Sequence, residues 1–376
     1  MVANALLRPI SLGTIELNNR IGMSALTRSR SHSTYPTELM KEYYVQRADA
    51  GLIVSEGLLI TRQGTEWPRA PGIWDEDHVE GWKSIVTAVH HAGGKMYAQL
   101  WHLGRLSHPD APEQKLASVP VYGPSAIAAR GGKFRHLPGT PGYVKPTSID
   151  DPWVLVAQFK QAAVNAKQAG FDGVELHGGT GYLITQFLDN TSNKRTDQWG
   201  GSVENRSRFG LEVLKALVEV FGRDVAVKLS PTGGYNDVGM PLQETLETFT
   251  YFISEADKLC LSYIVLLRHS PRYDPVYEDG VHRATKHDVL ESYGHLIKHA
   301  KVYINGDVTP GEGQKLVSEG KVDGIFIGLG YIAHPDLVKR IEHGMPLDNT
   351  ADIEHFQTEE DDDDSSKGYT DYSTRF

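Results

Sequence analysis

Short apolar runs alternate with longer amphipathic stretches along the whole chain. We predict that eight of the apolar runs are β-strands and that helices lie between them. This alternation is typical of a parallel sheet with crossover helices, and eight strands suit a closed barrel. The predicted fold is therefore α/β, a single (β/α)8 TIM barrel. The predicted strands cover residues 20–24, 52–56, 95–100, 172–177, 225–230, 263–267, 301–304 and 324–328.

The clearest helical pattern starts at Asp151, a residue suited to be an N-cap, and Pro152 follows in the first turn. Gly170 is placed to end this helix, as glycine does just beyond the last helical residue. The apolar residues between these ends recur on one face, which should pack against the sheet. They are Val156, Phe159, Ala163 and Ala166.

One segment breaks the alternation of strands and helices. Residues 105–150 form a long connection after the third strand, and it contains seven prolines. Loops at the carboxyl end of a barrel face the active-site cavity, so we predict that this segment is an excursion over the mouth. A passive surface insertion is the alternative. No stretch resembles an interdomain linker, and residues 1–376 are predicted to form one domain.

Charge and composition limit the classes of partner. A formal charge of −10 argues against nucleic acid or an anionic membrane, and the predicted partner is a small-molecule substrate. Six negative charges lie in the run EEDDDD, and residues 359–366 are predicted to be a solvated acidic loop. A single cysteine, Cys260, excludes an internal disulfide framework. Neither a signal-peptide pattern nor a membrane-spanning apolar run is present, so we expect a cytoplasmic enzyme, monomeric or homodimeric.

Candidate chemistry lies at the end of the fourth predicted strand. His177, Thr180 and Tyr182 fall within six residues at its carboxyl end, where catalytic groups of an α/β barrel collect. A histidine and a phenol in such positions can bind an oxygen and deliver a proton. The alternative is that His177 caps the strand and Tyr182 fills core.

Residues 181–209 contain the motifs GY, QFL, N-x-R-x-D, W-G-G-S and E-N-R-x-R-F in that order. This segment resembles, nearly residue for residue, the central signature of the old yellow enzyme family. Members of that family are FMN-dependent NADPH:enone ene-reductases built on a TIM barrel. The resemblance extends over residues 5–376, and it favours a lid-like hairpin within residues 105–150.

The resemblance implies two flavin contacts on the first and fifth strands. Residues 17–28 are similar to the family's first-strand segment, in which Ala25 and Leu26 would offer backbone groups and Thr27 a hydroxyl to the isoalloxazine. Lys228 stands where the family usually carries arginine. A fixed positive charge there would stabilise the reduced flavin, and lysine keeps this charge while losing the planar guanidinium fork. We interpret this as a retuned flavin site.

A third match lies on the third strand. Residues 98–109 resemble the family's QLWHxGRxxH segment, in which Gln99 would bind the flavin pyrimidine edge and Trp101 would line the substrate pocket. His102 and His108 of this segment have no evident third ligand. No metal site is therefore predicted.

The predicted phosphate end departs from the family pattern. Loops after strands seven and eight bind phosphate in such barrels, which implicates the backbone near Asn305, Gly306 and Gly328. The family adds an arginine at a position that aligns with Leu329 when counted back from the Pro-Asp-Leu turn. Aligning the glycines instead places Tyr331 there. The arginine is missing in both alignments, so weakened FMN binding is expected.

By the same resemblance, His177 and Thr180 would bind the carbonyl oxygen of the substrate, and Tyr182 would be the proton donor. Thr180 stands where the family commonly has asparagine or histidine, and its hydroxyl has a shorter reach. Phe356 would line the substrate pocket. The implied function is reduction of the C=C bond of an α,β-unsaturated carbonyl compound by NADPH or NADH, on a specialised metabolite.

Two other functions stay open. The altered Thr180, Lys228 and phosphate loop also suit a redox-neutral isomerase or cyclase that uses the same pocket with weakly bound flavin or none. A catalytically silent barrel that only binds a ligand is the other alternative. Product formation without NADPH would select the isomerase or cyclase.

Overall fold

The computed structural model describes residues 4–130, 142–358 and 365–376, and within them eight parallel strands close into a barrel. In chain order the strands are β1 (Ile10–Leu12), β2 (Ile15–Leu17), β3 (Ile21–Met23), β4 (Leu52–Leu59), β5 (Met96–Trp101), β6 (Tyr122–Gly123), β7 (Thr147–Ser148), β8 (Gly173–Gly178), β9 (Val225–Leu229), β10 (Tyr263–Leu267), β11 (Lys301–Asn305) and β12 (Gly324–Ile327). The barrel contains β3, β4, β5 and β8 to β12, in sequence order around the ring. All eight predicted strands are confirmed. The largest difference is at β4, which runs to Leu59 instead of Glu56.

Helices pack around the barrel and bury the main apolar core between themselves and the strands. None of those in the described ranges is both long and apolar enough to cross a lipid bilayer. The helices are α1 (Glu38–Val45), α2 (Glu76–His91), α3 (Pro112–Ala117), α4 (Pro152–Gln168), α5 (Leu183–Leu188), α6 (Val203–Phe221), α7 (Leu242–Asp257), α8 (Val289–Tyr293), α9 (Pro310–Ser318), α10 (Leu329–Ala333) and α11 (Leu337–Glu342).

Helix α4 confirms the prediction made from its capping pattern. The Asp151 carboxylate accepts a hydrogen bond from the Trp153 N–H at 3.0 Å, and Pro152 occupies the first turn. Gly170 follows the helix with φ of 88°, a left-handed conformation that glycine adopts without a steric penalty. The predicted apolar face is buried and consists of Val156, Phe159, Ala163 and Ala166.

An antiparallel hairpin that was not predicted closes the amino end of the barrel. In it, Ile10 pairs with Leu17, and both side chains pack with the aromatic residues that fill the barrel interior. Thr14, in the turn, donates from its N–H and its hydroxyl to the Asp224 carboxylate at 2.7 and 2.6 Å. Asp224 directly precedes β9, so these bonds hold the hairpin across the end opposite the predicted active site.

The predicted excursion leaves β5 and returns at α4. Its described part contains α3 and the β6–β7 pair, which is parallel, so the strands at its base do not form an antiparallel hairpin. Residues 131–141, where the tip of the predicted hairpin falls, lie outside the described residues. Ala129 and Tyr143 pack against the cluster that contains Trp101 and Tyr182. The excursion therefore packs against residues of the predicted pocket.

Two buried arginines fasten the C-terminal segment over the barrel. Arg28 donates to the carbonyl oxygens of Phe356 and Gly368 at 2.8 and 2.6 Å. The guanidinium groups of Arg28 and Arg30 lie 5.2 and 4.9 Å from the centre of the Tyr369 ring, within the range of cation–π attraction. These contacts bring Phe356 to the mouth of the barrel. Most of the predicted acidic loop, residues 359–364, lies outside the described residues.

Candidate active site

A cavity of about 840 Å³ lies at the carboxyl ends of the barrel strands. All fourteen residues that the sequence predicted for the site line this cavity. Their common location is a fact of the fold, whereas their individual roles stay predictions. They are Ala25, Leu26, Thr27, Gln99, Trp101, His177, Thr180, Tyr182, Lys228, Asn305, Gly306, Gly328, Leu329 and Phe356.

Lys228, a partly buried cation in the cavity lining, interacts electrostatically with the buried carboxyl group of Glu175. Lys228 donates from Nζ to the Ser24 hydroxyl at 2.9 Å. Glu175 accepts from Gln99 Nε2 at 2.7 Å and from the Tyr263 hydroxyl at 2.9 Å. Burial lowers the pKa of Lys228 and raises the pKa of Glu175, and each charge opposes the shift of the other. The bond to Glu175 leaves the Gln99 carbonyl oxygen as an acceptor for a ligand.

One wall of the cavity is aromatic. The His177 ring stacks on Trp101 at a centroid distance of 6.0 Å and an angle of 16°. Tyr182 meets both rings edge to face, 4.9 Å from His177 and 5.0 Å from Trp101. Trp67 meets Trp101 edge to face in turn, at 5.5 Å. Such contacts fix the orientation of the His177 and Tyr182 rings toward the cavity they line.

His177 is a neutral hydrogen-bond donor in this setting. Burial, followed by the positive charge of Lys228, lowers the pKa of His177 to about 3. The Gly179 N–H donates to His177 Nδ1 at 3.4 Å, which assigns the ring proton to Nε2. A neutral imidazole with Nε2–H can donate to a ligand oxygen without delivering its own proton.

Thr180 has an unusual backbone conformation. Its φ is 50°, in the left-handed region that β-branched residues rarely adopt. Two bonds hold it there. The Ser230 hydroxyl accepts from the Thr180 N–H at 2.6 Å, and Asn236 Nδ2 donates to the Thr180 carbonyl at 2.8 Å. The surrounding loops, more than the residue itself, therefore determine this geometry.

Replacing Thr180 by asparagine should raise the free energy of unfolding by up to about 1 kcal/mol, because asparagine tolerates the left-handed conformation better than threonine. Denaturant unfolding measures the change. Thr180→Ala is the matched control, since it removes the β-branch without adding an amide. The asparagine variant should also bind phenols more tightly, because its amide reaches further than a hydroxyl. A Thr180→Asn variant no more stable than the wild type would contradict the expected relief of strain.

The predicted phosphate end is formed by the loops after β11 and β12. Asn305 Nδ2 donates to the Phe326 carbonyl at 2.9 Å and ties these strands together. The nearby Arg268 is already hydrogen-bonded within the protein. Its guanidinium donates to the Gly306 carbonyl at 2.5 Å and to both Glu312 carboxylate oxygens at 2.5 and 3.0 Å. Lys228 and Arg272 are the only lysine or arginine side chains among the described residues that line the cavity.

The two candidate positions for the missing arginine have different surroundings. Leu329 lines the cavity. Tyr331 is fully buried away from it, and its carbonyl oxygen accepts from Arg47 Nε at 2.8 Å. At Gly328, an added Cβ would meet nothing closer than Leu26 at 3.6 Å, so backbone and ligand can approach each other there. Leu329 is therefore the position from which an arginine could reach a phosphate group.

Several cavity residues were not predicted from the sequence. They lie after β3, β4, β9 and β10 and on the C-terminal segment, and apart from Ser24, which falls within the matched segment 17–28, no recognised motif pointed to them. Their position a few residues beyond a barrel strand was the one available signal. The additional residues include Ser24, Trp67, Tyr235, Arg272, Tyr273 and Ile353.

Comparisons with known proteins agree with this fold and site. The NADH:flavin oxidoreductase / NADH oxidase family model matches residues 5–348. The chain is 34% identical over 370 residues to 12-oxophytodienoate reductase 2 of Arabidopsis thaliana, covering 98% of this chain and 95% of that protein. It is 33% identical over 377 residues to a probable flavin mononucleotide-dependent alkene reductase of Leishmania infantum, covering 98% and 97%.

Structural similarity extends over the same length. The old yellow enzyme homologue of Zymomonas mobilis superimposes with a TM-score of 0.87 at 33% sequence identity, covering 98% of this chain and 99% of that one. The family match, the closed barrel and the sequence relatives all identify the same enzyme class. The chain belongs to the old yellow enzyme family of FMN-dependent oxidoreductases.

Proposed function

We propose that this enzyme reduces the C=C bond of α,β-unsaturated carbonyl compounds, with FMN as cofactor and NADPH or NADH as reductant. One observation carries the proposal. A neutral His177 with Nε2–H and the Tyr182 phenol share one wall of a cavity that the partly buried cation Lys228 also lines. This set can bind a carbonyl oxygen, supply a proton and stabilise negative charge on a flavin.

The residues at the isoalloxazine end fit FMN. Ala25 and Leu26 would offer backbone groups, Thr27 a hydroxyl and Gln99 its carbonyl oxygen, and Lys228 would face the edge that becomes negative on reduction. The phosphate end fits less well, since it would rely on backbone amides, and in the described part of the chain only Lys228 and the exposed Arg272 bring a lysine or arginine side chain to the cavity. We therefore propose that the phosphate is bound without the usual charged partner.

Bound FMN would supply hydride chemistry, accepting hydride from NAD(P)H and delivering it to the alkene. The protein supplies the rest. Nε2–H of His177 and the Thr180 hydroxyl would donate to the substrate carbonyl oxygen, which draws electrons from the β-carbon. The Tyr182 hydroxyl would give its proton to the α-carbon and recover one from water. Trp101 and Phe356 would hold the apolar part of the substrate.

A turnover assay tests the proposed reaction. With FMN and a cyclic enone, the protein should oxidise one NADPH for each enone consumed and release the saturated ketone. The saturated ketone itself is the matched control, because it presents the same oxygen but no C=C bond, and it should not cause NADPH oxidation. Failure to consume the enone in the FMN-loaded protein would contradict the proposal.

A redox-neutral isomerase or cyclase is the second candidate. The observations that favour it are the Thr180 hydroxyl in place of a longer side chain and Leu329 at the cavity wall in place of arginine. The same His177 and Tyr182 groups would then move protons without net electron transfer. Rearranged product of unchanged mass, formed without NADPH, would select this function over reduction.

A further inference from the structure

Three arginines donate hydrogen bonds to one buried aspartate beside the cavity. Asp237 is 4% exposed. Its Oδ1 accepts from Arg130 Nε at 2.9 Å and from Arg283 Nη1 at 2.6 Å, and its Oδ2 accepts from the Arg130 N–H at 2.7 Å. Arg105 Nη2 donates to the Asp237 carbonyl oxygen at 2.7 Å. These four residues are called the Asp237 cluster.

The Asp237 cluster connects loops that are distant in sequence. Arg105 and Arg130 belong to the excursion after β5, Asp237 to the loop after β9, and Arg283 to the loop after β10. Arg283 also donates to the Thr191 hydroxyl at 2.7 Å, in the loop that follows α5. The cluster thus joins connections after four neighbouring barrel strands on the side where the cavity opens.

The loop that carries Asp237 is strained and presses on the loop after β8. Asn236 and Asp237 have φ values of 60° and 56°, two consecutive left-handed residues that are not glycine. Asn236 Nδ2 donates to the Thr180 carbonyl at 2.8 Å. A Cβ added at Gly181 would come within 2.7 Å of the Asn236 Cβ, so the two loops are in close contact. Movement of Asn236 would therefore move the backbone of Thr180.

The surrounding arginines keep the Asp237 carboxylate in its charged form. Burial alone would raise the pKa of Asp237, but the bonds from Arg130 and Arg283 outweigh it and lower the pKa below its usual value. Burial also lowers the pKa of Arg105, which is 1% exposed. An asparagine at position 237 would place its amide N–H groups against the N–H donors of the arginines. It would also leave the guanidinium charges without a neutralising partner.

We propose that Asp237 is a positioning residue for the substrate-oxygen site. Its hydrogen bonds to Arg130 and Arg283 hold the neighbouring Asn236 against Thr180. The position of Thr180 in turn determines where Thr180 and His177 contact a ligand oxygen. The proposal rests on the proposed function, because it assumes that these two residues bind that oxygen. The proposed flavin contacts lie on β5, on β9 and directly after β3, outside the cluster, so cofactor binding should be independent of it.

The test compares ligand binding with cofactor binding in Asp237→Asn. The FMN-loaded variant should bind the phenol p-hydroxybenzaldehyde, followed by flavin absorbance, about 10-fold or more weakly than the wild type, since displacements near 1 Å have effects of this size or larger. The KM for a cyclic enone should rise with it. The dissociation constant for FMN and the rate of flavin reduction by NADPH should stay within about twofold.

Asp279→Asn is the matched control. Asp279 carries the same charge and bonds the same Arg130 at 2.5 Å, but its side chain is 50% exposed. An exposed ion pair contributes little, so phenol binding should change less than about twofold in this variant. Arg130→Met and Arg130→Lys provide a second pair should Asp237→Asn not fold. The methionine variant should weaken phenol binding, and lysine should restore part of it.

The outcomes separate the positioning role from the proposed function. Loss of FMN binding in parallel with phenol binding would show a general structural defect and overturn the positioning role. Unchanged phenol binding in both Asp237→Asn and Arg130→Met would overturn it as well. If the wild type with bound FMN takes up no phenol, the proposed function fails first and the positioning role falls with it.

Discussion

Tyr182→Phe should slow the reduction of a cyclic enone by about 10²–10⁴-fold, the usual contribution of a general acid, while flavin reduction by NADPH proceeds at the wild-type rate. The hydroxyl is the proposed proton donor to the substrate and has no part in the first half-reaction. The phenylalanine ring keeps the edge-to-face packing against His177 and Trp101, so the wall of the cavity should remain intact. Stopped-flow measurement of each half-reaction gives the two rates.

Tyr273→Phe is the matched control for this measurement. Tyr273 lines the same cavity from the loop after β10. Its hydroxyl is not a proposed donor, so both half-reactions should change by less than a few-fold. Equal slowing of the two half-reactions in Tyr182→Phe, or equal effects of the two substitutions, would contradict the proton-donor role.

Leu329→Arg should tighten FMN binding by roughly 10- to 150-fold, because a hydrogen bond to a charged group contributes about 1.5–3 kcal/mol and each 1.4 kcal/mol is tenfold in affinity. Leu329 lines the cavity beside the predicted phosphate loops, and the guanidinium of the nearby Arg268 is already paired with Glu312. Wild-type protein should accordingly purify partly colourless and recover flavin on incubation. Fluorescence titration of FMN into the apoprotein gives both dissociation constants.

Riboflavin provides the internal control, because it has the isoalloxazine but no phosphate. Its dissociation constant should be the same for the wild type and Leu329→Arg. Leu329→Gln, similar in length and uncharged, should leave FMN binding nearly unchanged. If Leu329→Arg strengthened the binding of riboflavin and FMN equally, the new side chain would not be contacting the phosphate. No binding of FMN even at about millimolar concentration would remove the reductase proposal and favour the flavin-free isomerase or cyclase.

The barrel could be predicted because its signals are local. Each strand is an apolar run between polar or glycine-rich stretches, and α4 carries its own start and stop residues in Asp151 and Gly170. The β1–β2 hairpin was missed because its strands have three residues each, too short for periodicity to distinguish them. It is held by tertiary contacts, among them the bonds from Thr14 to Asp224 across more than 200 positions.

The membership of the site could also be predicted, since the motifs near Ala25, Gln99, His177 and Lys228 each lie at the carboxyl end of a barrel strand. Strand ends of a closed barrel converge, so residues far apart in sequence come to one cavity without any signal that links them pairwise. Local sequence could not resolve the phosphate end. The position of Leu329 on the cavity wall favours one of the two alignments, and the Leu329→Arg titration tests it.

By itself, the sequence determined the fold class, the order of the strands and which side chains meet at the cavity, because these follow from periodicity and from residues next to strand ends. Tertiary structure alone decided the properties that depend on surroundings. The neutral state of His177 requires burial beside Lys228, and the left-handed Thr180 requires Asn236. The Asp237 cluster joins residues separated by up to 178 positions, from 105 to 283. Desolvation and strain are collective effects of packing, and no short stretch of sequence encodes them.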